Sequence, residues 1–269
     1  MKSNLTVYNN LNFMKIRVIV SMALVSFSIN VFSQAQKQPV KTEAKPSVKT
    51  EAKQTTTQTD PKKQAVNPLT EHFYKKYVTA VQWNDYEVAK DALYDLIIEN
   101  PQNDSLISSL AYYYYENQKY VSAVLVSQQL LARNPKNPAA LEISAVGYET
   151  MGVADRSLQN YESLYLITNN IATLYKMAFL QYDLKKFTES IASTDILLSK
   201  TEIDSVKVVF NDVENKPKEY PMKVSVLNLK GLIQLDHFGD KVAAKKIFED
   251  ALAISPDFVP AKQNLVKLK

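Results

Sequence analysis

The chain has 269 residues, 46% of them hydrophobic, with four Gly and no Cys. That composition excludes disulfide scaffolds and thiolate metal centres, leaves little material for Gly-rich phosphate loops, and suits helices joined by few tight turns. Net charge is +4, but residues 1–33 hold three basic and no acidic residues, so the remainder is nearly neutral at 29 basic against 28 acidic.

Lys15 and Arg17 precede an uncharged, largely apolar stretch over residues 18–29. Its length lies within the ~7–15 residues of a signal-peptide core and below the ~18 needed to span a bilayer. Residues 1–33 are therefore expected to be a signal peptide, with Met14 as the true start, cleavage after Ser33 and Gln34 as the new amino terminus. With no Cys for a bacterial lipid anchor, the expected location is periplasmic or secreted, with no integral membrane segment in the mature chain. A thiol-free chain suits an oxidising compartment.

Residues 34–69 turn to Lys, Thr, Gln, Glu, Ala and Pro, and the segment VKTEAK occurs twice, at 40–45 and 48–53. Such a stretch buries too little apolar surface to offset chain entropy, and a disordered linker is expected. Its seven Lys against three acidic residues also suit contact with an anionic lipid or sugar polymer. Nucleic acid is not expected as a partner, because residues 70–269 carry 22 basic and 25 acidic groups without a basic stripe.

From Thr70 onward the chain repeats itself at about 34 residues. Tyr77, Ala111, Ala145, Ala178 and Gly231 form one column; Ala89, Ala123, Ser157, Ser190 and Ala244 a second; Leu96, Leu130, Leu164, Leu197 and Ala251 a third. Pro101, Pro135 and Pro256 close units. Within a unit, apolar residues recur at helical spacing twice, as in Leu106, Leu110, Tyr114 and then Val121, Val124, Leu130, which predicts a helix, a short turn and an antiparallel helix. Small residues at the crossing let the two helix axes approach.

The unit resembles the tetratricopeptide repeat, most clearly in Leu227, Gly231, Ala244, Phe248, Ala251 and Pro256, and in Ala111, Tyr114, Ala123 and Pro135. The leader and linker are similar to those of exported repeat proteins of the Bacteroidetes. The resemblance implies an all-α fold over residues 70–269: a right-handed α-solenoid of about five helix pairs, with a C-terminal capping helix over residues 260–269. Between roughly residues 203 and 222 the period is interrupted by about 20 residues. There Val206, Val208 and Phe210 alternate with Ser205, Lys207 and Val209, and residues 215–218 supply a turn, which predicts a short β-hairpin or extended loop projecting before the last repeat.

Catalytic chemistry finds no support. The two His, His72 and His237, are far apart in sequence, and neither a nucleotide loop nor a hydrolase elbow is present. Glu116 and Glu149 are the nearest approach to an acid–base pair, but nothing in the sequence raises either pKa. The protein is expected to be no enzyme and to carry no cofactor or metal.

The aromatic content is the distinctive feature, with 16 Tyr and 10 Phe, including the run Tyr112, Tyr113, Tyr114, Tyr115. Four consecutive helical residues fan through about 300°, so they cannot share one face. The resemblance implies that first-helix positions line a concave binding face, which here selects Tyr74, Tyr112, Tyr115, Glu116, Glu142, Glu149, Tyr175, Phe179, Tyr182, Asp183, Leu232 and Asp236. The family's arrays that clasp acidic chaperone tails present Lys, Arg and Asn at these positions; this set has no Lys or Arg. A protein or peptide is the expected ligand, and cell-envelope carbohydrate or peptidoglycan stacked on the Tyr rings is the alternative.

Overall fold

The computed structural model of the chain describes residues 67–268. The expected signal peptide and all but the last residues of the expected linker lie outside them. Five antiparallel helix pairs follow in order: α1 (Pro68–Gln82) with α2 (Tyr86–Glu99), α3 (Asp104–Glu116) with α4 (Tyr120–Arg133), α5 (Pro138–Thr150) with α6 (Ala154–Thr168), α7 (Ile171–Asp183) with α8 (Phe187–Ser199), and α9 (Met222–Asp236) with α10 (Lys241–Ile254). A closing helix, α11 (Val259–Lys267), packs on α10 and α9. Each pair also packs on the next, so the described residues form an all-α solenoid of tetratricopeptide type.

Local chemistry sets the boundaries. Asn67, Asn103, Asn137 and Asn170 each precede the first helix of a pair, and the side-chain oxygen of each accepts a backbone N–H of the first turn. Such a cap contributes about 1 kcal/mol. With Pro68 at the first helical position, Asn67 starts α1 two residues ahead of Thr70. Inside the first four pairs the turn passes through one left-handed residue, Asn84, Gln118, Gly152 or Lys185. The next N–H then reaches back into the last turn of the preceding helix: Asp85 to the Ala80 carbonyl (2.8 Å), Lys119 to Tyr114 (2.9 Å), Val153 to Tyr148 (2.9 Å) and Lys186 to Gln181 (2.8 Å). This is the Schellman closure of a helix end, and it holds even where the left-handed residue has a side chain.

The small-residue columns sit where the paired helices cross. Ala111, Ala145 and Ala178 are fully buried, as are Ala123, Ser157, Ser190 and Ala244 on the opposing helices. Ser157 Oγ donates to the Ala145 carbonyl (2.9 Å) and Ser190 Oγ to that of Ala178 (2.8 Å), so these hydroxyls satisfy themselves across the crossing. At Gly231 there is no room for a side chain: a Cβ there would stand 2.5 Å from Cε1 of Phe248, a ring with no exposed surface to retreat into. One continuous core runs from Leu141 in α5 to Ala261 in α11, whereas the first pair leaves Leu69, Trp83 and Ile98 exposed.

The interrupting segment is a single 3₁₀ turn (Thr201–Asp204) followed by the antiparallel strands β1 (Lys207–Asn211) and β2 (Pro217–Pro221), with Val208 opposite Tyr220 and Val209 opposite Glu219. The hairpin does not project as the alternation alone suggested. Val208, Phe210 and Tyr220 are buried, and the rings of Phe210 and Tyr220 meet Phe258 edge-on at 5.1 and 5.0 Å. The period of two marks one face turned into the solenoid core, which the sequence could not distinguish from a free-standing hairpin.

Candidate functional site

The first helices α1, α3, α5, α7 and α9 carry all twelve residues picked out by the repeat pattern. In the tyrosine run, the Tyr113 hydroxyl donates to Glu87 Oε1 (2.6 Å) and the Tyr114 hydroxyl meets that of Tyr94 (2.5 Å), so these two turn toward α2. Tyr112 and Tyr115 lie together on the other side, ring centroids 6.4 Å apart. Tyr112 is 51% exposed and Tyr115 half-buried. In the first pair Tyr74 is exposed, and in the last Leu232 is half-buried and Asp236 exposed.

Glu149 joins three helices. Its Oε2 accepts from the Tyr161 hydroxyl of α6 (2.9 Å) and its Oε1 from Lys176 Nζ of α7 (2.8 Å). A cation therefore does reach this face, although the repeat positions contain none. Lys176 stands one residue beyond the selected Tyr175 and is committed to a carboxylate 27 positions away, a separation that no spacing within one repeat reveals.

Tyr175 departs most from its expected role. It is 4% exposed, its hydroxyl shares a 2.8 Å hydrogen bond with Ser225 Oγ of α9, and its ring lies 4.7 Å from Phe179. It joins α7 to α9 and presents no open surface to a ligand. Phe179 and Tyr182 stay half-buried, and the Tyr182 hydroxyl donates to Asp236 across the same boundary.

The remaining carboxylates, Glu116, Glu142 and Asp183, are exposed. Their surroundings are nevertheless electrically costly. Burial raises the Glu142 pKa, and burial together with the nearby Glu149 carboxylate pushes Asp183 up to about 6. Both groups are reached by water, so this desolvation is partial rather than that of a core. Tyr115 is pushed up to about 12 by burial first, then by Glu142, Tyr120, Glu116 and Tyr112. Aromatic surface and partly desolvated carboxylates thus share the first-helix positions. Among the described residues no group of three or more His, Cys, Asp or Glu has the arrangement to hold a metal ion.

The raised Asp183 predicts a pH effect of definite sign. A carboxyl that binds its proton more tightly when folded adds stability that is full below its unfolded pKa of 3.8 and lost as pH rises through about 6. Because other carboxylates titrate in the same window, the comparison is with Asp183→Asn: urea midpoints of the two proteins should diverge from pH 4.5 to 7, with the variant gaining relative to wild type. Parallel profiles would remove the argument.

No protein-family model matches the chain, and no curated protein matches it. Solved structures do. A tetratricopeptide repeat protein from Parabacteroides merdae aligns at 17% identity over 75% of this chain and 73% of its own, with a TM-score of 0.54. A MamA protein aligns at 12% identity over 74% and 94%, TM-score 0.51. MamA from Desulfovibrio magneticus, taken from residue 41 to its end, aligns at 10% over 72% and 99%, TM-score 0.52. At these identities the likeness is one of fold.

Proposed function

We propose that this protein is a non-catalytic scaffold of the cell envelope that holds an extended segment of a partner protein along the first-helix face. The observation that carries this reading is the pairing of Tyr112, Tyr115 and the half-buried Phe179 and Tyr182 with the exposed carboxylates Glu116, Glu142 and Asp183 on the first helices. Tyr supplies a large contact area at small entropic cost, and the acids favour a basic or neutral segment over an acidic one. The absence of a free Lys or Arg on the selected positions argues further against an acidic tail as ligand.

Export rests on residues 1–33, and mass spectrometry of the native protein should find Gln34 as the first residue; a chain beginning before Val18 would remove the envelope from this reading. The partner class is tested by capture from an envelope extract alongside a glycan array. Saturable capture of a protein, weakened by Tyr112→Ala and insensitive to glycans, is the expected result. Binding to sugar alone, with the same Tyr112 dependence, would replace the peptide by carbohydrate stacked on the rings.

A further inference from the structure

The two edges of the hairpin are not equivalent. The Met222 N–H donates to the Val206 carbonyl and the Asp212 N–H to that of Lys216, both at 2.8 Å, and both bonds belong to the register that places Val208 opposite Tyr220. In an antiparallel ladder the directly bonded pairs alternate, so Val208 and Phe210 point their N–H and C=O groups at β2, in line with the Val206 carbonyl and the Asp212 N–H; the Val206 N–H itself donates to the Glu202 carbonyl (3.1 Å). Lys207, Val209 and Asn211 point theirs away, and their backbone groups meet no backbone partner among the described residues. The outer edge of β2 comprises Pro217, Glu219 and Pro221, of which only Glu219 has an N–H to offer. One edge is closed by proline and, among the described residues, the other is open, along a segment, KVVFN, suited to strand pairing.

We propose that the open edge of β1 pairs with β1 of a second copy of this chain, antiparallel about a two-fold axis through Val209. Three features select a second copy over any other strand. Pairing about Val209 sets Lys207 opposite Asn211 and Val209 opposite itself, so all three outward residues of each copy find both bonds and no like charges meet. The same operation brings Val208 of one copy beside Phe210 of the other on the face that is already buried. The prolines of β2 then end the sheet at four strands, so the assembly closes as a dimer and does not grow as a fibre. This inference is independent of the ligand of the first-helix face.

Val209→Pro tests it selectively. The Val209 N–H takes no part in the β1–β2 ladder, and proline is tolerated where the N–H faces outward. Because the axis passes through this residue, one substitution removes two central bonds and sets two rings against the incoming strand. Sedimentation equilibrium on the full-length protein should show a monomer–dimer exchange over roughly 10 µM to 1 mM, as a small interface implies. Val209→Pro should weaken it by at least about tenfold, with far-UV dichroism and melting unchanged. A wild type that stays monomeric over that range, or a Val209→Pro protein that dimerises equally well, overturns the proposal. Should the proline variant fail to fold, Val209→Cys decides: in this cysteine-free chain it should oxidise to a linked dimer much faster than Glu219→Cys, the residue opposite it in the hairpin, since directly paired Cα atoms stand about 5.5 Å apart, within disulfide reach. Equal rates for the two variants overturn it.

Discussion

Replacing Tyr220 with alanine should lower stability by about 3–5 kcal/mol, the range for emptying a buried aromatic site. Tyr220 is 1% exposed, packs edge-on against Phe258 at 5.0 Å, and sits beside Phe210, whose ring meets the same Phe258 at 5.1 Å. Phe258 is itself fully buried at the start of α11. The three rings, with Phe258 in contact with both others, therefore tie the hairpin to the start of α11, and removal of the Tyr220 ring leaves a void beside Phe258 that the remaining rigid aromatics cannot fill. Excision of residues 204–221 in favour of a short Gly/Ser link should be worse still, because Val208 and Phe210 leave the core along with Tyr220. Urea denaturation followed by far-UV dichroism measures both. A loss below about 1 kcal/mol for Tyr220→Ala would mean that the hairpin is an ornament after all.

That result bears on what the sequence could and could not convey. The helix pairs were legible because three columns, the alanine and serine crossings among them, repeat at one period, and a period of 34 is set by the geometry of a helical hairpin rather than by any partner. The hairpin's existence was legible as well, since Val206, Val208 and Phe210 recur at every second position beside the turn residues 215–218. Its docking was not, because alternation states that one face is apolar without saying what covers it. The helix starts carry a signal of their own. Asn67, Asn103, Asn137 and Asn170 recur at nearly the repeat period and mark the start of α1, α3, α5 and α7 to the residue. The site was legible in outline only. Repeat position assigned Tyr112 and Tyr175 to a common face, but exposure depends on the next pair in the stack, and that pair differs: α9 brings Ser225 onto Tyr175, while Tyr112 remains half open. Contacts between units, such as Lys176 with Glu149, lie beyond any reading that treats the units one at a time.

Alanine at Tyr175 and at Tyr112 should accordingly have opposite consequences, although both were selected as first-helix face positions. Tyr175→Ala should cost about 3–5 kcal/mol of stability, since it removes a buried ring stacked near Phe179 and strands the Ser225 hydroxyl, which is 1% exposed. Tyr175→Phe isolates the second part of that loss, about 1–3 kcal/mol for a buried hydroxyl left without its partner. Tyr112→Ala should change stability by about 0.5 kcal/mol or less, because half of the residue already faces solvent. If Tyr112 is a contact residue for the partner, its loss should instead weaken binding by about 2 kcal/mol or more, roughly thirtyfold in Kd. Denaturation midpoints and a titration against the captured partner separate the two quantities for each variant. A Tyr112→Ala protein that melts as badly as Tyr175→Ala would place Tyr112 in the packing. One that keeps both its stability and its affinity would move the binding face away from α3, toward the half-buried Phe179 and Tyr182 and the adjacent Asp183 on α7.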